Sequence, residues 1–195
     1  GAALCASCIS RPPKHDGIRA AVAYGDAAAA VVLKFKYGGR IGLAKLIAQH
    51  LRRHMAELKA DNLIIAPVPL HWTRLWSRGY NQSALIAREL SNDSQVPGIP
   101  DLLLRTRRTP PLRGMAAKER QQTVAAAFSI NPRHADQLSG RRVILVDDVY
   151  TSGATSDACV SILKKNGASE VLIFCCARVI AEAQELEPAF ASLVA

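Results

Sequence analysis

The chain has 195 residues, 49% of them apolar and only 5% aromatic, enough for one sizeable core and a small appendage. No run of ~18 uninterrupted apolar residues occurs, which excludes a simple membrane-spanning helix, and no charged-then-apolar leader opens the sequence, so a cytoplasmic location is expected. The formal net charge of +9 points to anionic ligands or partners: phosphorylated metabolites, nucleic acid or acidic proteins.

Residues 1–17 hold Cys5-x-x-Cys8, two prolines, a histidine and an aspartate, and read as part of a small cysteine-rich segment. A domain over 18–180 and a tail over 181–195 are expected after it. Arg19 to Tyr24 alternates like a short strand. Ala27 to Tyr37 reads as a helix ended by Gly38-Gly39, and Ile41 to Leu58 as an amphipathic one, with Ile47, Leu51 and Met55 near helical spacing. Leu63 to Pro67 is a short apolar strand, followed by a polar, basic loop. Asn81 is placed to cap a helix running to Leu90. Leu102 to Leu104 is a strand candidate, and Thr106 to Thr123 has no clean period. Arg142 to Val146 is the clearest strand, with Val-Ile-Leu-Val uninterrupted by a polar residue, as expected of a parallel strand covered on both faces. A helix from about Ala154 to Asn166 is stopped by Gly167, and Val171 to Ala177 is a second buried strand. A last helix, broken by Pro188, is expected after Ala181. Alternating strand and helix signals predict an α/β fold with a mainly parallel central sheet flanked by helices.

The segment from Val143 to Thr155 carries the chemistry. A buried strand delivers Asp147 and Asp148 at its carboxyl end, where open α/β sheets bind ligands. The turn Thr151, Ser152, Gly153, Ala154, Thr155 then enters a helix. Gly153 lets the backbone approach a ligand closely. Helix-start N–H groups and the hydroxyls of Thr151, Ser152 and Thr155 make a cradle for a phosphate monoester. The carboxylates, about one ribose away, suit sugar hydroxyls. No Gly-Lys-Ser/Thr follows, so this is not a nucleoside-triphosphate loop of that kind.

This stretch resembles the motif by which type I phosphoribosyltransferases bind 5-phosphoribosyl-1-pyrophosphate (PRPP). Pro67-Val-Pro-Leu-His71, then Arg74, then Arg78-Gly-Tyr-Asn-Gln82, is similar to the ComF family, named for bacterial competence for DNA uptake. Arg105, Thr109, Glu119-Arg120 and Ala127-Phe128 match that family's middle loop; Leu112 and Thr123 depart from it. The resemblance runs from about Cys5 to Arg178. It implies a type I phosphoribosyltransferase-like domain behind a cysteine-rich zinc module. Asp147 and Asp148 would contact the ribose hydroxyls and Thr151 to Thr155 the 5-phosphate. Arg74 and Arg78 would help hold the pyrophosphate, and Mg2+ would ride mainly on ligand oxygens. Arg105 to Thr123 would be a lid whose cations neutralise the leaving group, with Arg105 among the catalytic residues.

Cys5 and Cys8 supply two of the four ligands a structural zinc site needs, and no second CxxC follows. An upstream segment of a longer protein would supply the missing pair, so Zn2+ belongs to the full-length protein in this reading. Cys159, Cys175 and Cys176 lie in apolar runs and read as core residues, and an odd cysteine count without a leader is expected of reduced thiols. His50, His54, His71 and His134 read as surface residues. Two functions fit the resemblance: a transferase moving a phosphoribosyl group to a nitrogen nucleophile, and a non-catalytic PRPP sensor or DNA-uptake adaptor that meets single-stranded DNA or the uptake machinery.

Overall fold

The computed structural model describes residues 12–58, 61–107 and 126–180. Four parallel strands form the main sheet in the order β1 (Gly17–Ala23), β6 (Glu170–Arg178), β5 (Arg142–Tyr150), β2 (Leu63–Pro67). The two inner strands explain the unbroken apolar runs. Val143 through Val146 and Val171 through Ala177 are all buried, because helices or a hairpin cover both faces of the sheet.

On one face pack α1 (Asp26–Tyr37), α2 (Leu43–Met55) and α4 (Gln82–Ser94), which bury Phe35, Leu51, Ile86 and Leu90 against Ile144, Val146 and Phe174. On the other face, α5 (Ala154–Lys165) and the two-stranded antiparallel pair β3 (Leu103–Arg105) and β4 (Phe128–Ile130) cover Val143, Leu145 and Ile173. A 3-10 segment, Pro132–Leu138, connects β4 to β5. The outer edge of β2 is covered by the 97–99 segment, through Ile65 N–H to Pro97 O at 2.9 Å and Ile99 N–H to Ile65 O at 2.8 Å. The expected fold class, a parallel sheet flanked by helices, is therefore observed. Among the described residues, no helix is long and apolar enough to cross a membrane.

Two departures from the sequence expectations bear on the site. The basic loop after β2 contains a seven-residue helix, α3 (Trp72–Arg78). Its ends carry ordinary caps: the His71 side chain accepts from Thr73 N–H, and Gly79 at φ 79° adopts the left-handed conformation that stops a helix. No residue of α3 is buried; Trp72, Leu75 and Trp76 stand at helical spacing, but two turns are too few for that pattern to set a helix apart from a loop. His71, read as a surface residue, is buried, 6% exposed, with its ring capping α3. The second departure is β4, which the sequence reading left unassigned. Three residues are too short for a period, and only pairing with β3 defines the strand.

Cys159, Cys175 and Cys176 are buried, as expected of core residues. Burial pushes the thiols of Cys175 and Cys176 up to about 12 and about 11. Cys5 and Cys8, positions 108–123 of the expected lid, and the expected helix after Ala181 lie outside the described residues.

Candidate functional site

The site starts from strand register. Pro67, the last residue of β2, lies opposite Val146, so β2 ends beside the carboxyl-terminal part of β5. Val68 N–H donates to Val146 O at 2.8 Å, which holds the start of the loop after β2 against β5. That puts Val68 to Arg78 beside Asp147 to Thr155, stretches about seventy residues apart in sequence.

Successive strand residues point to opposite faces, and the two aspartates follow this rule. Asp147 turns toward α5: its Oδ2 accepts from Ser156 Oγ at 2.9 Å and its Oδ1 from Asp148 N–H at 2.8 Å. Asp148 turns toward α1: its Oδ2 pairs with Lys36 Nζ at 2.9 Å and its Oδ1 accepts from Val149 N–H at 2.7 Å. Burial, followed by the neighbouring Asp148 charge, pushes the Asp147 carboxyl up to about 7; the bonds from Ser156 and the Asp148 amide oppose that rise. The pair is thus electrostatically unequal, with one carboxylate exposed to an ammonium and the other desolvated.

The Thr151 to Gly153 turn follows. Gly153 has φ 75°, and a Cβ there would lie 2.5 Å from Tyr150 Oη, so both conformation and space require glycine. Gly153 is the N-cap residue of α5 and has no side chain to satisfy the first-turn amides. Those amides, beside the positive end of the helix dipole, face the loop.

Three arginines complete the lining. Arg105, at the end of β3, packs its guanidinium 5.2 Å from the centroid of the Phe128 ring on β4. Burial, then the Arg74 charge, lowers its pKa. Arg78 lies 5.0 Å over the Tyr37 ring and donates to Tyr37 Oη at 3.2 Å and Gln82 Oε1 at 3.4 Å. Arg74, on α3, is exposed. One cavity of about 270 Å3 is lined by Arg74, Arg78, Arg105, Asp147, Asp148 and all of Thr151 to Thr155. Asp147, Asp148, Thr151 to Thr155, Arg74, Arg78 and Arg105, all singled out from the sequence, therefore border the same space, whereas His71 does not. Lys36 borders it too, and the sequence reading missed it. It lies in a helix read only for its apolar face, and no spacing rule connects position 36 to 148.

His15 and Asp16, which follow the Cys5-x-x-Cys8 segment in sequence, contact the sheet and α5. His15 Nε2 lies 3.3 Å from Tyr150 Oη, while Asp16 accepts from Val171 N–H at 2.7 Å and Lys164 Nζ at 2.9 Å. No cluster of three or more potential metal ligands occurs among the described residues.

These features define an α/β protein with a mixed-charge cavity at the carboxyl ends of its parallel strands. No family model matches the chain. It is 30% identical over 179 residues to Competence protein F of Haemophilus influenzae, covering 89% of this chain and 78% of that protein. It is 27% identical to DNA utilization protein YhgH of Escherichia coli (strain K12), with coverage of 90% and 78%. Competence protein ComFC of Bacillus subtilis (strain 168) is 24% identical, with coverage of 88% and 71%. The chain belongs to the ComF family. Among solved structures it resembles an allosteric regulatory enzyme of purine biosynthesis, with TM-score 0.48, 21% identity and coverage of 74% of this chain and 30% of that one. It also resembles a hypoxanthine phosphoribosyltransferase from Trypanosoma cruzi in complex with IMP, with TM-score 0.35, 14% identity and coverage of 77% and 67%.

Proposed function

We propose that this chain binds PRPP in the cavity between β2 and β5 and transfers the phosphoribosyl group to a nitrogen nucleophile, releasing pyrophosphate. One observation carries the reading: three unlike recognition elements converge on about 270 Å3. A carboxylate pair suits a sugar diol, a glycine-led helix start suits a phosphate monoester, and Arg74, Arg78 and Arg105 suit a second anionic group. A ribose carrying anions at both ends answers all three.

In the reaction, the C1–O bond to pyrophosphate breaks and its electron pair leaves with the pyrophosphate. The nitrogen lone pair forms the new bond to C1. Asp147 and Asp148 hold the ribose, the Thr151 to Thr155 turn holds the 5-phosphate, and the arginines stabilise the departing charge. Arg105 is the catalytic cation in this scheme, because it leads into the expected lid. Mg2+ would ride mainly on the ligand and neutralise pyrophosphate charge. Each carboxylate oxygen of Asp147 and Asp148 accepts one bond, from Ser156, Lys36 or a backbone amide, and keeps a second lone pair for a ribose hydroxyl.

Calorimetric titration with PRPP, with and without Mg2+, is the test. Saturable binding supports the reading, and no binding of PRPP or ribose 5-phosphate at millimolar concentration overturns it.

A second reading, a PRPP-sensing or DNA-uptake adaptor without turnover, gains from one observation. Trp72 and Trp76, 65% and 85% exposed, lie one turn apart on the face of α3 turned away from Arg74. Exposed aromatics can stack the bases of single-stranded DNA. Pyrophosphate release with a panel of amines and bases separates the readings: turnover supports the transferase, and PRPP binding without it supports the adaptor.

A further inference from the structure

We propose that Lys36 is a specificity-determining residue of this site, bridging Asp148 to the pyrophosphate of a bound PRPP and so favouring PRPP over ribose 5-phosphate. The inference rests on the reading of the cavity as a phosphoribosyl site.

The Lys36–Asp148 contact is not a loose surface pair. Its N–O distance is 2.9 Å and the two side chains are only 23% and 20% exposed. The contact uses one of three ammonium donors, and Lys36 borders the cavity, so the others are positioned for ligand oxygens.

The backbone around Lys36 is braced from the stretch that distinguishes this family. Tyr80 Oη donates to Phe35 O at 2.6 Å, and Gln82 Nε2 donates to the same carbonyl at 3.5 Å. On the other side of Lys36, Arg78 holds Tyr37 through its hydroxyl and ring face. Asn81 Nδ2 donates to Val68 O at 3.0 Å, fastening the loop after β2 to the same brace. Thus Arg78 to Gln82 fixes two walls of one cavity relative to each other: the end of α1 and the loop after β2.

The location selects the pyrophosphate rather than the 5-phosphate. Asp147 and the Thr151 to Thr155 turn belong to the α5 side of the sheet, through Ser156. Asp148 and Lys36 belong to the α1 side, where Arg78 contacts the residue next to Lys36. A ligand whose 5-phosphate occupies the turn presents its other anion toward Lys36, Arg74 and Arg78.

The test is titration of wild type, Lys36→Gln and Lys36→Arg with Mg2+–PRPP and, separately, with ribose 5-phosphate. Lys36→Gln is expected to weaken PRPP binding at least about tenfold, the scale of a lost hydrogen bond to a charged group, and ribose 5-phosphate binding no more than about threefold. Lys36→Arg is expected to recover most of the PRPP affinity. Retained ribose 5-phosphate binding also shows that the variant is folded. Equal losses for both ligands, or no loss for PRPP, overturn the assignment while leaving the site reading intact. A wild-type protein that binds neither ligand overturns the site reading itself.

Discussion

The Tyr150 hydroxyl occupies the space that a side chain on Gly153 would need: a Cβ there would lie 2.5 Å from Oη and 2.9 Å from Cζ. With φ at 75°, the glycine is required both by its own backbone and by the ring at the end of β5. Gly153→Val should therefore force Tyr150 aside and distort the turn. Stability is expected to fall by about 1–3 kcal/mol and PRPP affinity by at least tenfold. Thermal melts paired with calorimetry check both, and unchanged affinity in a folded variant would remove the turn from the site.

Asp147 makes stability depend on pH. Its folded-state pKa is raised to about 7, by burial first and the Asp148 charge second. Below about pH 4 the carboxyl is protonated in both folded and unfolded chains. As pH rises from 4 to 7 the unfolded chain loses this proton first, so stability falls, and above 7 the penalty is constant. Asp147→Asn is expected to be about 1–3 kcal/mol more stable than wild type at pH 8 and near parity at pH 4. The same variant should bind PRPP more weakly, and any bound zinc should stay. Chemical denaturation at both pH values and metal analysis provide the readouts. A loss of zinc would make Asp147 a metal ligand instead.

His15 gives an opposite pH signature. Burial, followed by the Arg178 charge, holds its imidazole below the ordinary histidine value. The unfolded chain then takes up this proton first as pH falls, so stability present above about 6.5 is lost as pH falls toward the folded pKa. His15→Gln is expected to flatten the slope of stability as pH falls below about 6.5. An unchanged slope would assign the acid sensitivity to other groups.

Tyr80→Phe removes the donor to Phe35 O, one of the C-terminal carbonyls of α1. About 1 kcal/mol of stability should be lost, along with a severalfold loss of PRPP affinity through the loosened Lys36. A stability loss with affinity intact would make the brace purely structural.

What the sequence determined by itself is local. Val143 to Val146 is apolar at every position, and no solvated strand accommodates that. The Asp-Asp-x-x-Thr-Ser-Gly-x-Thr order places carboxylates, a glycine and a helix start within reach of one another whatever the rest of the chain does. Gly167 stops α5 at φ 99°, as its position after the apolar stripe implied. These features depend on interactions within a few residues, which composition and spacing encode directly.

Only the tertiary structure decided the rest. The sheet order put β2 against β5 and so brought Arg74 and Arg78 to Asp147. β4 exists because β3 pairs with it, and α3 is only two turns long, too short for its spacing to declare a helix. Lys36 reaches Asp148 across 112 positions (148 − 36). A lysine on a helix reads the same whether it meets water or an aspartate, because the partner that gives it meaning comes from a different strand and is set by packing, not by neighbours in the chain.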